Sequence, residues 1–268
     1  MKVNYAFDPF SVRSLPHEPY NHFGYAKIIT KQNYPSIKGM TVYYIEIFHE
    51  SMRTIHVHGD CDEIGYVLKG KIQVFIYMPQ KVIFTVDQGG SWFIPRGALH
   101  SLNNIGSENA KLFVGFNSEM PSNYDLKKML GISRSNPLFS HQGTYHPKDI
   151  GNAIPYKQKP IHWSPTKHFS IHKIILDEKK NSGQLFWYPD SAIFYVNVGK
   201  TCLIKIFNKK IIFKTLHYFF IEMGIPHSFI MDEPIELLMF YTSKKLYKSE
   251  LNLLAIDHQL LECCLNKN

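Results

Sequence analysis

Charge is scarce in this chain, and acid is the scarcer sign. Only 19% of its 268 residues are charged, with 22 Asp and Glu against 30 Lys and Arg, a formal net charge of +8. So low a charged fraction excludes a disordered chain or a charged coiled coil. The lysine excess falls in scattered pairs (Lys179-Lys180, Lys209-Lys210 and Lys244-Lys245) that read as solvated turns. No long basic run, zinc-finger spacing or RNA-recognition signature accompanies them, so no nucleic-acid partner is expected. Cysteine is sparse too. Cys61, Cys202, Cys263 and Cys264 share no repeated spacing, which argues against a disulfide framework and for a reducing compartment. No window approaches the ~18 unbroken apolar residues that suggest a membrane span. The opening MKVNYAFDPFSV lacks the apolar run of a signal peptide. A cytoplasmic protein with no membrane partner is the expectation.

What is present is apolar and aromatic. Hydrophobic residues make up 44% of the chain and aromatics 14%, a share that suits a β-rich fold. Short β-like runs, bounded by Gly, Pro, Asn or Asp, recur at the spacing of a sandwich or barrel. MTVYYIEIF, KIQVFIYM, KVIFTV and AKLFVGF form a first block. A stretch with helical periodicity follows at Asn123–Ile132, then a linker rich in Pro, His, Ser, Gly and Asn. FSIHKIIL, GQLFWYP, AIFYVNVG, CLIKIF, KIIFKTL, YFFIEMG and IELLMFYT form a second block, and the tail has apolar residues at helical spacing. The expected organisation is an arm at 1–22, a β-block at 23–120, a helical linker at 121–166, a second β-block at 167–243 and a helix at 244–268. The two blocks read as one unit repeated.

The stretch RTIHVHGDCDEIGYVLKG carries the chemistry. Residues two apart in a strand project to the same side, so His56 and His58 point together. The turn-forming GDCD then leads into a strand beginning at Glu63, and a hairpin brings that acid back beside the imidazoles. A second run, GGSWFIPRGALHSLNN, turns at Pro95 and Gly97 and places His100 at the start of the next strand. Three imidazoles and one carboxylate make a mixed donor set that suits manganese or iron, and also nickel, zinc or copper.

These two runs follow HxH-x4-E-x6-G and G-x5-P-x-G-x2-H-x3-N, with Gly70, Gly89, Pro95, Gly97, His100 and Asn104 all in place. On that pattern the chain resembles the cupin superfamily, and with two strand blocks it looks like a bicupin of the oxalate decarboxylase branch. The resemblance implies an all-β fold of two jelly-roll barrels with a helical linker and a C-terminal helix. It implies one divalent ion, manganese in the oxalate-acting members, held by His56, His58, Glu63 and His100 in the first barrel. Arg53, three residues before the first histidine, takes the place of the branch's substrate-binding arginine. A regular strand points residue 53 away from residues 56 and 58, so a bulge or the barrel's curvature has to turn it inward. A homo-oligomer is also in keeping with the family.

The departures matter as much. The decarboxylases carry a proton-donating glutamate on a lid, and here FNSEMPSNYDL offers Glu119 and Asp125, neither in register. In the second block Ala192 stands where the glutamate belongs, and only His227 of the histidines is kept, so that barrel is read as metal-free. Cys61 reads as an exposed turn thiol, with a redox role near the metal as the sharper alternative. The expected function is metal-dependent action on a small carboxylic acid, of oxalate decarboxylase or oxidase type. The alternative is a non-catalytic storage or regulatory bicupin that binds metal or ligand.

Overall fold

A computed structural model describes residues 10–11, 18–19, 23–78, 81–126, 162–166, 169–183, 185–186, 192–206, 209–222 and 225–242. The expected helical linker beyond 126 and the C-terminal helix lie outside these residues. The chain divides into two compact units, Leu15–Lys159 and Met1–Ser14 with Pro160–Asn268.

The first unit is a double-sheet roll in which every strand pairing is antiparallel. One sheet runs in the order β12 (Tyr124–Asp125), β5 (Met52–Val57), β10 (Leu99–Asn104), β7 (Lys71–Met78) and β8 (Val82–Asp87). The other runs β2 (Glu18–Pro19), β3 (Gly24–Lys27), β4 (Thr41–Ile47), β11 (Ala110–Phe116), β6 (Glu63–Lys69) and β9 (Ser91–Ile94). The period-2 pattern of the sequence decides which side chains face in. On β7, Ile72, Val74 and Ile76 are buried while Lys71 and Met78 are exposed. They join Tyr43 and Ile45 of β4, Leu102 of β10 and Leu112, Val114 and Phe116 of β11 in one core between the sheets. Each such aliphatic side chain contributes about 1.5–3 kcal/mol when fully buried.

The second unit is built alike. Its larger sheet runs β1 (Phe10–Ser11), β19 (His217–Ile221), β16 (Ile193–Asn197), β21 (Ile235–Tyr241), β14 (Phe169–Leu176) and β13 (His162–Thr166). Its smaller sheet runs β15 (Leu185–Phe186), β20 (His227–Ile230), β17 (Cys202–Ile206) and β18 (Lys209–Phe213). A short helix, α1 (Glu178–Asn181), is capped by the Asp177 carboxylate, which accepts from the amides of Lys179 and Lys180. The core is aromatic. Tyr195 and Phe229 pack edge to face with centroids 5.2 Å apart, and Phe213 meets Phe219 at 6.2 Å.

One local difference from the sequence reading bears on the site. Tyr124–Asp125 pairs with β5 as an edge strand, where helical spacing suggested the start of a helix. Buried polar partners for Asp125 and a free edge on β5 outweigh local propensity there.

Candidate metal centre

Three strands and the turn that follows one of them bring four side chains to one place. His56 ends on β5, His58 follows it directly, Glu63 opens β6 and His100 lies on β10 opposite His56. One ligand atom from each lies within 4.8 Å of every other, and all four residues are buried. The turn into β10 is made at Gly97, whose φ of +76° few side chains tolerate. Its amide donates to the His58 carbonyl at 2.8 Å, which ties that turn to the first ligand pair.

The hydrogen bonds settle which nitrogens face inward. Nδ1 of His56 donates to the Thr54 carbonyl at 2.7 Å, Nδ1 of His58 to the Ser122 carbonyl at 2.5 Å and Nδ1 of His100 to the Ala98 carbonyl at 2.8 Å. A carbonyl only accepts, so each Nδ1 carries a proton, and a ring with no second proton turns its Nε2 lone pair to the centre. Burial, followed by the Arg53 charge and the neighbouring imidazoles, holds the His56 pKa well below the usual histidine value.

Glu63 is equally constrained. Its Oε1 accepts from the Trp92 indole at 2.8 Å, and its Oε2 lies 3.3 Å from Nε2 of both His58 and His100. Desolvation raises its pKa, and His100 and His58 lower it by more when they carry a proton on Nε2, which puts the carboxyl well below the usual carboxylate range in that state. Trp92 crosses over Gly65, its register partner, where an added Cβ would sit 1.9 Å from Cζ2 of the indole. Glycine is therefore the residue that lets tryptophan reach the glutamate.

The donor set fits a cation. Lone pairs and a carboxylate oxygen converge in a buried space, and His58 Nε2 has no hydrogen-bond partner. Without a positive charge between them these atoms repel, and an unmet buried acceptor costs about 1–3 kcal/mol. A divalent ion with nitrogen and oxygen ligands satisfies all four at once. Phe116 closes one side, its ring centroid 4.8 Å from that of His58.

Arg53 is turned inward by a bulge. Between β5 and β10 the register steps three residues, Arg53 to His56, against two, Leu102 to His100. The extra residue puts Arg53 on the face of its partner Leu102, a core residue. Its guanidinium does not lie bare there. Nη1 donates to the Thr54 hydroxyl at 2.8 Å and sits 3.3 Å from Asp125 Oδ2, and Nη2 donates to Asn123 Oδ1 at 2.7 Å.

The other acids separate. Glu119 is tied to Lys31 Nζ and to the Gly39 amide, and the Lys31 contact lowers its pKa. Cys61 departs from both readings of it. It is 1% exposed, and burial followed by the Asp60 charge pushes its thiol far up, so it is neither an exposed nor an activated sulfur. Trp92, the Ser122 carbonyl, Thr54 and Asn123 were missed from sequence, since none carries a ligand or catalytic signature of its own.

In the second unit His227 stands on β20 with Nδ1 on the Ile225 carbonyl at 3.1 Å and Nε2 3.0 Å from the Tyr195 hydroxyl. Phe186, Phe229 and Tyr195 surround it. Burial lowers its pKa to about 4.

A double-sheet jelly roll with an inward quartet of three histidines and a glutamate defines a class, and residues 15–138 match the family model described as Cupin. That match falls within the first unit, so residues 15–138 are similar to the cupin family. Among known proteins the chain is similar to oxalate oxidase GF-3.8 of Triticum aestivum, 39% identical over 72 residues, which are 25% of this chain and 32% of that protein. It is also similar to the rhicadhesin receptor of Pisum sativum, 28% identical over 113 residues, or 40% of this chain and 51% of that protein. The match thus spans about a third to a half of these relatives' length. Solved structures of oxalate decarboxylase share the fold. One aligns with a TM-score of 0.75 at 16% identity over 98% of this chain and 84% of that one. A variant of the Bacillus subtilis enzyme aligns at 0.74 and 15%, over 98% and 85%. Among the described residues no helix is long and apolar enough to cross a membrane.

Proposed function

We propose that the chain is a metal-dependent bicupin that acts on a small carboxylic acid, with chemistry of the oxalate decarboxylase or oxalate oxidase type. The observation that carries this reading is the inward set of Nε2 atoms of His56, His58 and His100 with Glu63 Oε2. The names of its relatives, oxalate oxidase and oxalate decarboxylase, support the substrate class. A divalent ion, manganese by that likeness, supplies Lewis-acid polarisation of a bound carboxylate when it is held there.

The residues of the chain do the rest. The three imidazoles and Glu63 hold the ion, and backbone carbonyls fix each ring. Trp92 fixes the carboxylate, a second-layer contact of the sort that tunes ligand orientation. Arg53 presents a planar fork that suits a carboxylate better than lysine does. Phe116 and the aliphatic core exclude water on the barrel side. The described cysteines, Cys61 and Cys202, are free and buried, in keeping with a reducing compartment such as the cytoplasm.

One observation favours a second reading, a non-catalytic ligand-binding cupin: Arg53 is already engaged by Asp125 and Asn123. Incubating the manganese-loaded chain with labelled oxalate, and following carbon dioxide and peroxide, separates the two. Turnover that disappears in Arg53→Ala while manganese content holds supports the enzyme. Stoichiometric metal with no product from oxalate supports the binding protein.

A further inference from the structure

The guanidinium assigned to a ligand carboxylate already holds one from its own chain. Arg53 and Asp125 face each other at 3.3 Å with side chains only 5% and 9% exposed. The Thr54 hydroxyl accepts from Arg53 and donates to Asp125, which closes a small ring of polar groups. Asp125 stands opposite His56 in the register of β12 and β5, so this ring adjoins the quartet. Thr54 links them as well, because its carbonyl takes the His56 Nδ1 proton.

The strand that delivers Asp125 is short and sits at an edge. β12 is two residues long and forms the edge of its sheet. Tyr124, between Asn123 and Asp125, is 53% exposed. Short edge pairings with little buried apolar surface belong to the low end of local opening energies. The segment before β12 has its own contacts, made at the surface. The Ser122 amide and hydroxyl both donate to Asp60 Oδ1, at 2.9 and 2.6 Å, and Glu119 is clamped on Lys31. Residues 119–122 therefore keep partners that do not involve Arg53, while Asn123 and Asp125 hold it.

Charge then decides what the centre accepts. A divalent ion beside the Glu63 carboxylate leaves one net positive charge, and neutral imidazoles add none. With Asp125 in place, Arg53 is cancelled and a monoanion balances the site. With Asp125 withdrawn, the guanidinium adds a second positive charge, which a small dianion matches.

We propose that Asp125 is a specificity-determining gate: a ligand carboxylate reaches Arg53 only by exchanging with the Asp125 carboxylate as β12 leaves β5, and the opened site takes a small dicarboxylate. This rests on reading the quartet as a metal centre for a small acid. It assigns Asp125 no proton transfer. Its role is competition for one guanidinium.

The test uses the full chain loaded with manganese and titrated with oxalate and with acetate by calorimetry. Asp125→Asn keeps the shape and removes the competing charge. Charged hydrogen bonds are worth about 1.5–3 kcal/mol, so oxalate should bind roughly 10-fold tighter or more, and the oxalate-to-acetate preference should rise. Hydrogen exchange on the unaltered chain gives an independent arm: saturating oxalate should speed exchange of the amides at 123–125. Equal or weaker oxalate binding in Asp125→Asn at equal manganese content overturns the gate and leaves the metal centre standing. Unchanged or slower exchange at 123–125 on oxalate saturation overturns it too. If neither protein binds either acid while manganese is stoichiometric, the carboxylate reading falls and the gate falls with it.

Discussion

Glu63→Gln separates a metal centre from a buried ion-pair network, because only the network predicts a large loss of stability in the metal-free protein. In a network, His58 and His100 are protonated at Nε2 and paired with Glu63 Oε2 at 3.3 Å. Each contact is then a Coulomb attraction of about 5 kcal/mol at an effective dielectric near 20. Removing one partner of such a buried set costs about 3–5 kcal/mol. For a protein of this size that lowers the melting temperature by roughly 6–20 °C. In a metal centre the rings keep their protons on Nδ1, and the empty quartet sets lone pairs against a carboxylate. A carboxamide donates into that space, so metal-free Glu63→Gln should melt no lower than metal-free wild type. Metal reverses the order. An ion present at about 1,000 times its Kd stabilises the folded state by about 4 kcal/mol. Losing one ligand should weaken binding at least about 100-fold, since outer contacts alone are worth that much. Only about 1.4 kcal/mol of the stabilisation then remains. Circular dichroism melts of both proteins, with chelator and with manganese, give all four values. A chelated variant that melts well below chelated wild type, with the manganese shift intact, refutes the reasoning.

Other expectations are as direct. Gly65→Ala drives Cβ into the Trp92 indole, so chemical denaturation should show a loss of about 1–3 kcal/mol. Manganese titration of the same variant should show affinity about 10-fold lower, because Glu63 loses its positioning partner. His227 is neutral in the folded protein, with a pKa lowered to about 4 against 6.5 unfolded. The unfolded chain therefore binds more protons between those values. Stability is full above pH 6.5 and falls by about 3 kcal/mol as pH drops to 4. That share of the acid sensitivity should vanish in His227→Gln, measured by denaturant melts across the range.

Much of this fold can be read from period-2 patterning. KIQVFIYM, AKLFVGF and FSIHKIIL form strands over the same residues that suggested them. The quartet could be read because each member is a ligand type at a spacing set by strand alternation and one hairpin. The inward turn of Arg53 could be posed as a requirement but not located, since a bulge depends on how many residues β10 sets against β5. Asp125 was misplaced for a related reason. Its local periodicity is helical, and only the distant Arg53 and the open edge of β5 make it a strand residue. Cys61 looked exposed because its neighbours form a turn, yet the turn folds its sulfur into the core.

The central claim is that His56, His58, Glu63 and His100 hold one ion. Anomalous scattering from crystals of manganese-loaded protein, recorded at the manganese edge, tests it most directly. The account predicts a single peak bonded to the three Nε2 atoms and to Glu63 Oε2, lost in His56→Ala. A quartet without a peak in fully loaded crystals, or a peak that survives His56→Ala unchanged, contradicts it.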